Sequence, residues 1–236
     1  MRALLLPIKD LRQAKQRLSP FLNPEERFAL AQVMLADTIR AVRGVRMADK
    51  IFVVTNYAPA MQAAQENGWE LLREDRQISE SFSVDYASIQ CAKRGVTALL
   101  RLPLDVPLVQ SSDIDELLAL EFVAPALVIV PSRDGTGTNA ILRTPPNLFP
   151  SHFGSGSFAK HCAEAHRARA QVLVRRNTHL EMDVDDEADL RVLAQQDLRG
   201  TETGEWLDRS GTLRRLMQLP AKVSTRENAI KLAANS

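Results

Sequence analysis

Short apolar runs alternate with longer amphipathic ones along this chain, and the two periods predict its elements. Residues 3–6, 50–55, 69–72, 98–102, 127–130, 140–142 and 171–174 are brief, largely aliphatic or β-branched, and bounded by turn residues, as strands are. Between them lie helical patterns. Asn23-Pro24-Glu25-Glu26 supplies a capping side chain, a proline in the first turn and early acids. Phe28, Leu30, Val33, Met34, Ile39 and Val42 then recur at helical spacing up to Gly44. Further helices are predicted over 58–67, 83–93, 158–169 and 188–196, and one starting at Ser112, read as its cap. Strand–helix alternation implies an α/β fold with a mostly parallel sheet and helices on both faces.

In such sheets ligands bind beyond the carboxyl ends of the strands. Lys9, Lys15 and Arg17 follow the first strand, Glu74 and Asp75 the third, and Asp105 the fourth, while Arg133 and Thr138 follow the strand at 127–130. One rim of the sheet is therefore expected to gather them. Beyond Gly200 the pattern loosens to Leu213, Leu216 and Met217. Residues 1–200 are read as the domain, and 201–236 as a partly ordered extension that packs on a partner subunit in a homodimer.

Composition narrows the classes. With 236 residues and 45% hydrophobic content the chain can bury a full core. Thirty basic against 29 acidic residues leave a charge of +1, which argues for neither a nucleic-acid groove nor a membrane-seeking surface. No apolar segment reaches spanning length, and the amino terminus enters a strand pattern directly. Cys91 and Cys162 lie in helical patterns without a CxxC pair, so reduced, buried thiols and a cytoplasmic location are expected. His152, His161, His166 and His179 have no ligand spacing and are read as structural. The P-loop GxxxxGK[ST] and GxGxxG motifs are absent from the sequence.

The chemistry-bearing stretch is 127–158. A strand breaks into Ser132-Arg133-Asp134-Gly135-Thr136-Gly137-Thr138-Asn139, and after a second strand Phe153-Gly154-Ser155-Gly156-Ser157 opens a helix. Glycines admit close backbone approach, and free N–H groups and hydroxyls at a helix start favour an anion. Either loop alone is more simply a turn; together, with an arginine between, they point to a pocket for a small phosphorylated molecule. Asp105 is held between Pro103 and Pro107, and Mg²⁺ takes one or two carboxylates plus phosphate oxygens. Asp183 and Asp185 alternate along an extended run, so one of them, Asp183 in preference, completes a metal site. The same acidic run also caps and charges the following helix.

Pro7-Ile8-Lys9, Ala14-Lys15-Gln16-Arg17-Leu18-Ser19-Pro20, Pro24-Glu25-Glu26-Arg27, Pro103-Leu104-Asp105-Val106-Pro107, Asp134-Gly135-Thr136-Gly137-Thr138-Asn139-Ala140, Phe153-Gly154-Ser155-Gly156-Ser157-Phe158 and Asp183-Val184-Asp185 follow one another in order. The set resembles the guanylyltransferase family of coenzyme F420 biosynthesis, which acts on 2-phospho-L-lactate, phosphoenolpyruvate or 3-phospho-D-glycerate. The likeness covers roughly the first 195 residues. It implies a GT-A-like, Rossmann-related nucleotidyltransferase fold, with Mg²⁺ at Asp105 and Asp183 or Asp185. It also implies that Thr138, Gly154 and Ser157 hold the phosphate of the small acid, and that the product passes to a downstream transferase of the same pathway. Where that family often has Gly-Leu-Asn near the nucleotide, this chain has Ser83-Val84-Asp85, making Asp85 the matching nucleotide-side position.

The physical chemistry agrees with guanylyl transfer. A phosphate monoester with a second pKa near ~6 is already ionised at neutral pH, so no general base is required. The obstacle is repulsion between two polyanions, and catalysis becomes positioning and charge neutralisation. Lys9, Lys15 and Arg17 are expected on the triphosphate of GTP, with Lys15 and Asp105 the catalytic pair. Arg133 is expected on the acid, and Glu74 or Asp75 on the guanine N–H donors. Rival readings are a molybdopterin- or sugar-phosphate nucleotidyltransferase, whose LxGGxxxRxG loop is missing here, and a non-catalytic nucleotide-binding subunit.

Overall fold

The computed structural model describes residues 1–218. Seven strands form one sheet: β1 (Arg2–Pro7), β2 (Lys50–Thr55), β3 (Glu70–Arg73), β4 (Ala98–Arg101), β5 (Ala126–Pro131), β6 (Thr138–Thr144) and β7 (Gln171–Val174), in the order β3-β2-β1-β4-β6-β5-β7. Every pairing is parallel except those of β6, which runs antiparallel to both β4 and β5. The expected mostly parallel α/β sheet is therefore present. The two-neighbour pairing of β6 also extends it well beyond the predicted 140–142.

Alternate residues of the strands feed opposite faces, which both carry helices. Leu4 and Leu6 of β1 pack with α1 (Pro24–Arg43), α2 (Ala58–Glu66) and α4 (Ser111–Ala119). Ala3 and Leu5 pack instead with α3 (Glu80–Lys93), and Leu127 and Ile129 of β5 with α5 (Ser157–Arg167). Burial on both faces is why these strands read as continuous apolar runs. The α1 start is as predicted: the Asn23 side chain accepts from Glu26 N at 2.9 Å, and Glu26 accepts from Asn23 N at 2.9 Å. The predicted cap of α4 is corrected. Gln110 occupies that position rather than Ser112, because the Asp113 carboxylate reaches back to Gln110 N at 2.8 Å.

After α6 (Glu187–Leu193), the chain continues into α7 (Glu202–Arg209) and α8 (Thr212–Gln218). These pack on their own chain: Leu207 and Leu216 join Leu30 and Met34 of α1 and Leu190 and Leu193 of α6 in one cluster. Burying each such leucine contributes roughly 2 kcal/mol. Orientation comes from Asp37, a carboxylate buried on α1, which accepts from Glu202 N at 2.8 Å and Thr203 N at 2.9 Å. It thus satisfies two amides that α7 leaves open at its start. Residues 202–218 are thus ordered against their own domain, and the remainder of the extension, 219–236, lies outside the described residues. Cys91 is a buried thiol whose pKa burial pushes up to about 12; Cys162 is only half-buried. Among the described residues no helix is long and apolar enough to cross a membrane.

Candidate active site

Two adjoining clefts open at the carboxyl rim of β1 and β4, and Arg17, Glu80, Arg101, Asp105 and Asp185 wall both. The first, of about 560 Å³, is completed by Thr138, Asn139, the Gly154–Ser157 loop and Asp183. The second, of about 480 Å³, is completed by Lys9, Lys15 and Gln16.

Lys15 sits at the junction. It links two short 3-10 turns with φ 56°, in the left-handed region that costs a side-chain-bearing residue about 1 kcal/mol or more. That backbone directs the ammonium inward, where Nζ lies 2.9 Å from Asp105 Oδ2 and 3.7 Å from Asp185 Oδ1. Burial works against its charge, but Asp105, Asp185 and Asp183 outweigh burial and raise its pKa above the ordinary lysine value. Asp105 is half-buried; desolvation works against its charge, but Lys15 and Arg101 outweigh it and hold its carboxyl below the usual range. Asp183 is left over-supplied with negative charge: burial, with Asp105 and Asp185 nearby, raises its pKa to about 7. Arg17 Nη1 meets Asp185 Oδ2 at 3.2 Å on the exposed side.

The acids are locked to one another through the backbone. Val184 N donates to Asp105 O at 3.1 Å, joining the two acidic segments. Asn139 Nδ2 donates to Leu180 O at 2.8 Å and to Asp183 Oδ1 at 3.2 Å. Among the described residues no cluster of three or more His, Cys, Asp or Glu side chains is arranged to hold a metal ion. Yet Mg²⁺ is commonly held by one or two carboxylates and completed by substrate phosphate oxygens. Burial first, and then the nearby Asp105 and Asp185 charges, raise Asp183; a hard dication would offset both, so this donor set fits Mg²⁺ bound jointly with a phosphorylated ligand.

In the first cleft the two glycine-containing loops meet. Phe158 N donates to Thr136 O at 3.1 Å, and Ser157 is buried at the start of α5 behind Gly154 (φ 110°) and Gly156 (φ 67°). Gly137 is demanded by close approach: its N–H donates to Ser132 Oγ at 2.7 Å, and a Cβ there would fall 2.8 Å from that oxygen. Thr138 Oγ1 lies 3.0 Å from Nδ1 of the fully buried His161.

The rim thus assembles Lys9, Lys15, Arg17, Asp105, Asp183, Asp185, Thr138, Gly154 and Ser157. Four other candidates stand off the cleft walls. Glu74 is buried and accepts from Ser83 Oγ at 2.5 Å; its charge partly offsets the burial that lowers the pKa of Lys9. Asp75 is exposed. Asp85 accepts from Ser151 N at 2.9 Å and pairs with Arg143 at 3.8 Å, which ties it to the loop at Ser151. Arg133, turned outward, donates to Asp189 Oδ1 at 3.0 Å. For Glu74, Asp75 and Arg133 the cause is shared, since the end of a strand places a backbone but leaves open which side a side chain takes.

Two arginines were missed. Arg101, buried at the end of β4, pairs with Glu80, donates to Asn139 O at 2.9 Å and lies 4.3 Å over the Phe153 ring. Arg143, 1% exposed on β6, donates to Phe149 O at 2.8 Å, Ser151 Oγ at 3.2 Å and Ser88 Oγ at 2.7 Å. Burial lowers both guanidinium pKa values to about 10. A cation inside a run that otherwise reads as a buried strand was the available signal, because such a charge must find partners.

A rim of this kind, on a sheet of this order, fits the nucleotidyltransferase fold. The structural likenesses agree on the fold. A protein assigned to the nucleotide-diphospho-sugar transferases, from Desulfovibrio desulfuricans G20, superposes with a TM-score of 0.73 at 17% identity, over 93% of this chain and 99% of its own. A cytidylyltransferase from Leptospira borgpetersenii gives 0.59 at 11% identity, over 94% and 99%. At the sequence level the match is to guanylyl transfer in particular: the family described as "Guanylyl transferase CofC like" matches residues 1–217, and the chain belongs to that family. Its relatives include a phosphoenolpyruvate guanylyltransferase of Rubrobacter xylanophilus, 34% identical over 79% of this chain and 90% of the relative. A 2-phospho-L-lactate guanylyltransferase of Methanothermobacter thermautotrophicus is 29% identical over 86% and 88%.

Proposed function

We propose that this guanylyltransferase transfers GMP from GTP to the phosphate of a small phosphorylated carboxylic acid, releasing pyrophosphate, with Mg²⁺ and within coenzyme F420 biosynthesis. The observation that carries the reading is the Lys15 ammonium seated between Asp105 and Asp185, with Asp183 alongside, where the two clefts join. The second cleft, with Lys9, Lys15 and Arg17, offers cations to a triphosphate. The first, with Thr138, Gly154 and Ser157, offers hydroxyls and a helix start to the acid. A phosphate oxygen of the acid attacks the α-phosphorus, the bond to the bridging oxygen of pyrophosphate breaks, and a new phosphoanhydride forms. Lys15 holds the transferring group while Asn139 and the Val184–Asp105 bond keep the carboxylates in place. Mg²⁺, when bound at Asp105 with Asp183 or Asp185, supplies charge neutralisation for the transferring phosphoryl group. The product is the phospho-acid activated through its new phosphoanhydride, with GMP as the leaving group, and is suited to a following transferase.

Phosphoenolpyruvate heads the candidate acids, because relatives of 30–35% identity carry that name; 2-phospho-L-lactate and 3-phospho-D-glycerate complete the panel. The test is pyrophosphate release with GTP, Mg²⁺ and each acid, with product mass measured. Release should require GTP and one small phospho-acid, and Asp105→Asn should lower kcat/KM by about 100-fold or more. Release without an acid, or with sugar phosphates alone, overturns the reading.

A further inference from the structure

His161, on α5, is fully buried, with Phe153 edge-on at 5.0 Å and Phe149 at 6.1 Å between ring centres. Both of its nitrogens are engaged. The backbone N–H of His152 donates to Nε2 at 2.8 Å, and a backbone amide can only donate, so Nε2 carries no proton. The imidazolium, which needs protons on both nitrogens, is thereby excluded. Burial, followed by Arg143, His152, Arg101 and Lys160, acts in the same direction and lowers the His161 pKa to about 3. The one proton of the neutral ring is therefore on Nδ1, 3.0 Å from Thr138 Oγ1. That N–H donates, and the threonine oxygen accepts. Among the described residues Thr138 Oγ1 has no other hydrogen-bond partner, and Thr138 lines the first cleft. Its own hydrogen is left to point into that cleft.

We propose that His161 is a positioning residue that occupies one lone pair of the Thr138 hydroxyl and leaves its hydrogen free to donate, so that this corner of the first cleft favours an acceptor-only oxyanion. The chain His152 N–H to His161 to Thr138 begins at a fixed backbone amide, which sets the direction of every later bond. A threonine alone can rotate and serve either a donor or an acceptor; tied to this ring, it favours a fully ionised oxygen over a protonated one. The identity of that oxyanion as the phosphate of the acid substrate rests on the function proposed above.

The tautomer can be read directly from the long-range proton–nitrogen spectrum of the full chain, ligand-free at neutral pH. Nδ1–H on His161 is expected; Nε2–H or an imidazolium overturns the proposal whatever reaction the enzyme catalyses. Kinetics give the second arm, on variants first shown to be folded by circular dichroism. His161→Gln carries its amide at the Nε2 position and should raise KM for the acid about tenfold, with KM for GTP unchanged. His161→Asn carries an amide N–H near the Nδ1 position and should recover most of that loss. Equal rises in both KM values, or Asn as impaired as Gln, overturn the proposal. In a Thr138→Val background His161→Gln should add nothing further, and an additional loss also counts against it. If no phospho-acid is turned over, the reaction assignment fails. Binding of inorganic phosphate then decides this point, weakened alike by Thr138→Val and His161→Gln if the proposal holds and unaffected if it does not. Acids varied to present a carboxylate without a phosphate identify which oxyanion the corner holds.

Discussion

The two clefts are held together in opposite ways. At the junction, Lys15, Asp105, Asp183 and Asp185 are ionisable groups crowded into a partly dry space, and one of them is forced to a pKa of about 7. Around the glycine loops, Asp85, Arg143, Ser151, Thr138 and His161 lie in a network in which each side chain has a partner. The first arrangement is uncomfortable until a ligand arrives; the second has its partners in place beforehand, save the Thr138 hydrogen. Mutation should therefore act with opposite sign on stability in the two regions, since a native protein can carry local electrostatic cost where function requires it.

The largest expected effect is on the complete side. Arg143→Met strands the Phe149 carbonyl, two serine hydroxyls and Asp85 together, and should lower the unfolding free energy by about 4 kcal/mol in urea titrations. A loss under about 1 kcal/mol would show that the network is not structural.

Acid titration probes the same side. The folded pKa of His161, about 3, lies below its ordinary 6.5, so its contribution to stability is fully present above pH 6.5 and is lost as pH falls towards 3. The limit is on the order of 4 kcal/mol. His161→Asn should flatten the stability profile in that window relative to the parent, and parallel profiles would contradict the assignment.

At the junction the sign reverses. The folded pKa of Asp183, about 7, lies above 3.8, so its favourable contribution is complete below pH 3.8 and disappears as pH rises through 7. Asp183→Asn keeps an oxygen for the Asn139 amide and should stabilise the chelator-treated protein by about 2 kcal/mol at pH 8, while turnover collapses. A destabilised variant would mean that the three carboxylates are not in conflict.

Much of this was legible in the chain. Asp105 between its prolines and Lys15 after the first strand end where the strand rule sends them, and Asp183 and Asp185, read from their two-residue spacing, reach the same rim. Arg133, Glu74 and Asp75 satisfied the same rule and turned elsewhere, because proximity to a strand end does not choose between neighbouring side chains; Asp85, named from the resemblance alone, lies within α3. The docking of α7 was illegible for a different reason: it depends on Asp37 meeting Thr203 across 166 positions, and no local pattern encodes a pairing at that distance. His161 was read as structural, and it is buried as expected; only its two bonding distances show what its ring proton does.

The left-handed backbone at position 15 has a consequence for anyone evolving this enzyme. Glycine would relax that turn by about 1 kcal/mol, yet it would also delete the cation that Asp105 and Asp185 share and leave their carboxylates facing one another, which costs more than the strain relieves. Libraries screened for heat resistance and libraries screened for turnover would therefore both keep a long cation at this codon, strained backbone included.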